Sequence, residues 1–449
     1  MAAFLAGVQN YLDVVMLILL VSAGLFLSIR TKFFQFRKFG YANKNTVGSL
    51  FTKDAHKKDS SGVSPFQAVA TAMAGTIGTG SIAGIATAIT MGGPGAVFWM
   101  WISALLGMVT KYSEIVLSLN YREKNENGEW VGGPMYYIRN GLKIKWLAAA
   151  FAIFAMIACL GTGNATQSNA IADSLHETLG IEMWITGLVL TVLVAAVILG
   201  GIRRIASINE KMVPFMAIFF VVCACAALIV NYKEIPSAFA LIFKEAFNFK
   251  SAAGGVAGYG IMAAMKSGFS RGVFSNEAGL GSAPIAHAAS STKDPVKQGL
   301  WGIFEVFFTT IIICTVSALI ILTTGLYGNG VDGAALSIMS FDTILPGVGS
   351  VVVTLSTIFF ALSTILGWAY YGETAISYLT KNNSAAKMAY KLFYVAVVFV
   401  GAVAPLKEVW AVAGIMNTLM AVPNLVGLIG LSGVVVKLTK DHFNKNKLD

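Results

Sequence analysis

The chain has 449 residues, of which 56% are hydrophobic and only 12% are charged. A soluble domain carries about 25% charged residues, so composition excludes a soluble enzyme or binding module and indicates an all-α, polytopic membrane protein. The net charge of +10 is no nucleic-acid footprint, because Lys and Arg cluster in loops between apolar runs.

Apolar runs predict crossings near 8–30, 64–90, 94–119, 145–179, 183–200, 208–231, 255–286, 299–325, 346–379, 385–404 and 407–437. The first run is too long for a cleavable signal peptide and lacks its basic start. The last run holds Pro423 and reads either as one kinked helix or as two shorter ones. Cys159, Cys223, Cys225 and Cys314 sit inside apolar runs, where thiols pack as small hydrophobes, so neither a disulfide framework nor a metal cluster is indicated. With the N-terminus outside, the inner segments 30–64, 111–145, 203–211, 293–297, 381–391 and 437–447 hold 26 Lys and Arg. The outer segments hold only Lys233, Lys244, Lys250 and Lys407, while Lys266 and Arg271 lie within a crossing. This bias follows the positive-inside rule, places the C-terminus in the cytoplasm and requires an odd number of crossings. Eleven is the favoured count.

The stretch from Ser64 to Met91, SPFQAVATAMAGTIGTGSIAGIATAITM, organises the rest. Ser64 can cap a helix, Pro65 takes its first position and Gln67 completes a capping box. The segment is long enough to cross a bilayer of about 30 Å at about 1.5 Å per residue. Yet Gly75-Thr76-Ile77-Gly78-Thr79-Gly80 sets three glycines near the membrane midplane, each weakening a helix by roughly 1 kcal/mol relative to alanine. A break there frees carbonyls on one side and amides on the other, and in hydrocarbon such backbone must line a cavity or a ligand. Close helix packing through small residues is the alternative for one glycine cluster taken alone.

A second interrupted run bears on that choice. Without the first helix ten crossings remain, five plus five, and the second five begin with 255–286, where glycines recur across Gly268-Phe269-Ser270-Arg271-Gly272 and on to Asn276-Glu277-Ala278-Gly279-Leu280-Gly281. Five crossings separate the two starts, so the halves run in opposite directions. Interrupted segments at matching positions of inverted halves point to the binding site of a secondary transporter. The expected organisation is an N-terminal helix and basic loop (1–63), two inverted five-helix repeats (64–254 and 255–437) and a cytoplasmic tail (438–449).

At the first break, carbonyls of residues such as Ala74 and Ile77 would form a hard oxygen site for a small cation. The amides of Thr79, Gly80 and Ser81 would present the positive end of a helix dipole to a carboxylate. The polar cluster Gly161-Thr162-Gly163-Asn164-Ala165-Thr166-Gln167 lies inside a crossing. Asn164 and Gln167 are three apart and share a helix face, so they either hold an ammonium group or make an interhelical hydrogen bond. Ser363 and Thr364 lie mid-crossing, where hydroxyls either ligate a cation or bond back to their own helix. Trp368, a turn further on, either walls the pocket or packs in the core. Charges within crossings are costly and are functional or paired: Glu114, Lys266, Arg271, Glu277, Glu305 and Glu373. Arg271 and Glu277 flank the second break as a candidate ion pair, and His287 receives no role.

The stretches GTIGTGSIAGIATAI, GGPGAVFWMWISALLGMVTKYSEI, GGPMYYI, GFSRGVFSNEAGLGSAPIAHA and STILGWAYYGE closely resemble the alanine/glycine:cation symporter family, the sodium/alanine symporters, from about residue 64 to 435. The resemblance implies a leucine-transporter-type fold with unwound first and sixth core helices. It also implies Na⁺-coupled import of small neutral amino acids, alanine and glycine above all, across the cell membrane. Carried onto matching positions, it sets the Thr79 and Gly80 amides at the substrate carboxylate, with Asn164, Gln167, Phe269 and Trp368 around the rest. Ala74, Ile77, Ser363 and Thr364 would form the Na⁺ site between the first and eighth core helices. Ser81 stands where the family pattern suggests asparagine and is assigned no role. A channel is disfavoured because the charges form no ring, and an enzyme because HExxH and paired membrane aspartates are missing from the sequence. A proton-driven symporter stays open through Glu277 or Glu305.

Overall fold

The computed structural model describes residues 2–50, 52, 62–248, 257–404 and 406–445. The repeat boundary expected at 254/255, most of the basic loop before Ser64 and the end of the C-terminal tail lie outside the described residues. The chain opens with α1 (Ala2–Arg30), which buries Leu20, Ala23 and Leu27 while Tyr11, Ile18, Leu25 and Ile29 stay exposed. One-sided burial of an apolar helix is what lipid as a solvent permits.

The first broken crossing is α2 (Pro65–Thr76) followed by α3 (Ala83–Gly92). The capping box forms as the sequence dictates, with Gln67 N donating to Ser64 Oγ at 3.1 Å and Ser64 N donating to Gln67 Oε1 at 3.2 Å. Next comes α4 (Ala96–Asn120), buried on nearly all sides through its C-terminal half. A two-residue hairpin, Glu123–Lys124 with Trp130–Val131, then leads to α5 (Lys145–Leu179). This helix carries a π-helical stretch over Gly161–Ala165.

The chain continues through α6 (Met183–Ile198), α7 (Gly201–Val230) and α8 (Ile235–Ala246). The second broken crossing is α9 (Ala257–Asn276) followed by α10 (Ala283–Ala288). Then come α11 (Pro295–Thr324), α12 (Gly333–Ile344), α13 (Gly349–Leu379), α14 (Ser384–Val403), α15 (Leu406–Gly430) and α16 (Ser432–Lys445).

Among the described residues eight helices are long and apolar enough to cross a membrane: α1, α4, α5, α7, α11, α13, α14 and α15. The two interrupted pairs and the 16-residue α6 would supply the other crossings of an eleven-span reading. Of the two readings of the last apolar run, the structure has two helices, with Pro423 inside α15 and the chain turning at Leu431. Two details differ from the sequence expectation. The helices α8 and α12 occupy segments expected to be outer loops. At 12 residues each they are too short to register as crossings.

The second difference is the second break, expected between the flanking Arg271 and Glu277, which falls at Glu277–Ser282 instead, past Gly268 and Gly272. Those two glycines are helical and bring α9 onto α4. A side chain on Gly268 would come within 2.3 Å of the Ala96 carbonyl, and one on Gly272 within 3.0 Å of Ser103 Oγ. Small residues at a helix interface do the packing here.

The core is built around α4, which α9 and α11 flank, while α13 packs on α2, α5 and α7. Val63, just before α2, forms a parallel bridge with Ser290, just after α10. The start of one broken crossing is therefore tied to the end of the other.

Candidate functional site

The first break leaves the helix at Ile77, whose amide closes α2 on the Met73 carbonyl at 2.7 Å and whose side chain is buried. Beyond it the chain makes one 3₁₀ turn over Thr79–Ser81. The freed carbonyl of Ala74 accepts from Thr364 Oγ1 at 2.9 Å and from Ser363 Oγ at 3.3 Å, both on α13. The same hydroxyls also bond back to Phe360 O, at 2.9 and 2.8 Å. Three hard oxygens therefore converge between α2 and α13, a donor set suited to Na⁺.

On the other side of the break, Gln167 Oε1 accepts from the Thr79 amide at 3.3 Å and from Thr79 Oγ1 at 3.1 Å. Gly78 makes this approach possible, because a Cβ there would lie 2.8 Å from Thr364 Oγ1 and 3.3 Å from Gln167 Oε1. At Gly80 the neighbour is aromatic: a Cβ would stand 2.6 Å from the Phe274 ring.

The structure brings Ala74, Thr79, Gly80, Gln167, Ser363, Thr364 and Trp368 to one place, with Ile77 at its edge. Trp368 Nε1 donates to Gly75 O at 3.3 Å, and its ring lies against Gly163 in the π-helical stretch. Asn164 turns elsewhere. Its Nδ2 donates to the Tyr394 carbonyl at 2.7 Å, and its Oδ1 is buried with no hydrogen-bond partner. The shared helix face expected for Asn164 and Gln167 is split because the π-helical turn changes the residue register. Phe269 lines a separate small cavity with Leu20, Ser103, Gly107 and Asn276.

The second break is closed differently. Lys111 Nζ, on α4, donates to Asn276 O at 2.8 Å and pairs with Glu305 Oε2 on α11 at 3.1 Å. One turn along α4, Glu114 Oε1 accepts from Gly279 N at 3.0 Å and from Asn424 Nδ2 at 2.5 Å. Asn424 also donates to Gly279 O at 2.9 Å and accepts from the Tyr137 hydroxyl. Ala278 N is taken by Asn276 Oδ1 at 3.0 Å. His287 Nε2 meets Glu305 Oε1 at 2.8 Å while Gln298 Nε2 approaches Nδ1 at 3.0 Å.

Lys111, Glu114, His287, Glu305 and Asn424 are all fully buried. Lys111 counted as a loop charge in the sequence reading. Its spacing of three residues from Glu114 was the available signal that both lie on one helix face. The two charges flanking this break do not form the ion pair expected of them. Glu277 feels Lys111 as its positive neighbour, and Arg271 feels Asp13 and Asp332 as its negative ones.

The two breaks touch. Ser81 Oγ lies 3.3 Å from Ser275 Oγ, Gly80 lies under Phe274, and Trp368 Nε1 reaches Glu277 Oε1 at 2.9 Å as well as Gly75 O. Ser317 on α11 closes the Ser81 carbonyl at 2.8 Å. A cavity of about 170 Å³ lies elsewhere, between the hairpin, the start of α7 and the end of α13.

Two interrupted membrane crossings meeting at buried, unwound backbone define a membrane transporter of the broken-helix type. The chain belongs to the sodium:alanine symporter family, whose model matches residues 1–449. It is 45% identical over 437 residues to an uncharacterized transporter of Haemophilus influenzae, covering 97% of this chain and 94% of that one. It is also 45% identical over 442 residues to the sodium/alanine symporter AgcS of Methanococcus maripaludis, covering 96% of this chain and 95% of that one. Among solved structures, the manganese transporter of Eremococcus coleocola shares the fold with a TM-score of 0.52 at 13% identity, over 81% of this chain and 76% of that one.

Proposed function

We propose that this transporter is a sodium-coupled secondary active symporter, importing small neutral amino acids such as alanine and glycine by alternating access. It would sit in the cell membrane with its N-terminus outside and its C-terminus in the cytoplasm. The observation that carries the reading is the first break. Within one unwound turn, the Ala74 carbonyl meets two hydroxyls while the Thr79 amide is held only by a neutral side-chain oxygen.

In this mechanism Na⁺ sits among the Ala74 and Ile77 carbonyls and the Ser363 and Thr364 hydroxyls, which turn their lone pairs toward it. The substrate carboxylate takes the Thr79 and Gly80 amides, releasing Gln167. The Gln167 amide oxygen serves the ammonium group, while Trp368 and Phe274 bound the space left for a side chain, and Asn164, turned toward Tyr394, acts from behind the pocket wall. Phe269 acts from the flank of the same helix as Phe274. Binding energy for both solutes comes from backbone that neither would find in a continuous helix.

Uptake of labelled alanine into proteoliposomes tests the reading, with Na⁺ and proton gradients imposed separately. Saturable accumulation driven by an inward Na⁺ gradient is the expected result. A Na⁺ gradient that drives no accumulation overturns it.

A further inference from the structure

We propose that Glu277 is a proton-binding group of the transport cycle, placed at the joint between the two breaks and distinct from the oxygens at Ala74, Ser363 and Thr364. The proposal rests on the symport reading above. Three carboxylates are buried around the second break, Glu114, Glu277 and Glu305, against one ammonium, Lys111. Lys111 pairs with Glu305. His287 also meets Glu305, through Nε2 at 2.8 Å, and not Glu277. Glu114 is held by the Gly279 amide and Asn424.

Glu277 differs from both in sharing a donor, Trp368, with the first break. Its oxygens accept from the Ser282 hydroxyl at 2.5 Å and the Trp368 indole at 2.9 Å, and both donors are neutral. It is 2% exposed and holds a left-handed backbone, with φ of 57°. For a residue with a Cβ that conformation costs roughly 1–2 kcal/mol. The neighbouring ammonium, Lys111, is in contact with Glu305 instead, so the buried Glu277 carboxylate carries a desolvation penalty of several kcal/mol that taking up a proton removes.

An independent observation marks the same joint. The Tyr371 hydroxyl is buried and has no hydrogen-bond partner. It points at Gly75, where a Cβ would stand 2.7 Å away, and its ring lies 5.6 Å from that of Trp368. An unused hydroxyl and an acid held by neutral donors thus flank one indole, which bonds both breaks. This oxygen is placed to pass a proton or hold a bridging water. The titratable and charged groups facing Glu277 are Lys111 on α4, Cys159 on α5, Glu305 on α11 and Tyr371 on α13.

The step is a simple protonation: the carboxylate takes H⁺ from water on one side, becomes the neutral acid, and returns H⁺ to the other side after the conformational change. A neutral Glu277 is a poorer acceptor for Trp368 Nε1–H. The indole then favours Gly75 O, one residue from Ala74. Protonation at the second break is thereby felt at the first.

The test uses the full-length protein in proteoliposomes holding a pH-sensitive dye, with an inward Na⁺ gradient and the voltage clamped by potassium and valinomycin. Labelled alanine is counted in the same vesicles. Wild type should acidify the lumen in step with alanine entry, and its uptake rate should change several-fold between about pH 6 and about pH 8.5. Glu277→Gln should lose both effects. Ser282→Ala should keep the acidification with its pH profile moved upward by on the order of one unit, because a donor to the ionised acid is gone. Na⁺-driven alanine entry without acidification in wild type overturns the proposal while leaving the symport reading intact. So does acidification by Glu277→Gln at the wild-type rate. If Glu277→Gln does not fold, a Ser282→Ala profile that superimposes on wild type overturns it. Absence of Na⁺-driven alanine entry in wild type overturns the symport reading itself.

Discussion

The two breaks pose one backbone problem and answer it with different chemistry. At the first, freed groups meet neutral partners at mostly long distances: Gln167 at 3.3 Å on Thr79 N, Trp368 at 3.3 Å on Gly75 O, and hydroxyls on Ala74 O that also have a bond within α13. At the second, Lys111 and Glu114 lie one turn apart on α4 and clamp a carbonyl and an amide at 2.8 and 3.0 Å. A neutral hydrogen bond contributes about 1 kcal/mol net, whereas one to a charged group contributes about 1.5–3 kcal/mol. Weak neutral partners can be exchanged for a ligand. Buried charges cannot let go without stranding one another. The first break is therefore the one read as a binding site, and the second as the fixed frame it works against.

The sharpest way to break this contrast is to remove a charge from the frame. Lys111→Met leaves Glu305 and the Asn276 carbonyl facing apolar carbon, and truncating one partner of a buried pair costs about 3–5 kcal/mol. We expect little folded protein, seen as loss of the monodisperse peak in detergent and a fall in Tm. A Lys111→Met protein as stable as wild type would mean the second break is not held by charge.

The next largest effect should appear at the first break without unfolding. Gly80→Val places carbon where the Phe274 ring and the substrate carboxylate must pass. Alanine binding should weaken more than about tenfold, over 1.4 kcal/mol, while the protein stays folded. Near-normal alanine affinity would remove the anchoring role of this turn.

The smallest effect sharpens the division inside the first break. Replacing Ser363 and Thr364 together by alanine deletes two hydroxyl oxygens and leaves the Thr79 side untouched. The half-saturating Na⁺ concentration should rise several-fold, with alanine affinity at saturating Na⁺ close to wild type. An unchanged Na⁺ midpoint would leave the hydroxyls with their Phe360 bonds as their whole role and move the cation elsewhere.

How far the sequence carried these assignments differs between the two breaks for a physical reason. The first is local. Ser64, Pro65 and Gln67 announce the helix, Gly75 and Gly78 its end, and hydroxyls at 363 and 364 are conspicuous in an apolar run. The second depends on contacts between distant segments. Gly268 and Gly272 look like breakers but serve helix packing, while the turn itself needs Glu277, Gly279 and Gly281 at positive φ. Asn424 meets Glu114 across 310 residues and Lys111 meets Asn276 across 165. Spacing shows which side chains share a helix face, but it does not say what the face meets. The register change at Gly161–Ala165 was hidden likewise, since a π-helical turn has no firm residue signature.

The central claim is that one unwound turn binds both solutes, so each orders backbone the other needs. Linkage makes this reciprocal: Na⁺ must raise alanine affinity by the factor by which alanine raises Na⁺ affinity. Titration calorimetry of alanine across a Na⁺ series, and of Na⁺ with and without saturating alanine, measures both factors on the purified protein. We predict equal factors within the typical range of about 5–150-fold, or about 1–3 kcal/mol. Alanine affinity that does not change with Na⁺ would contradict the account.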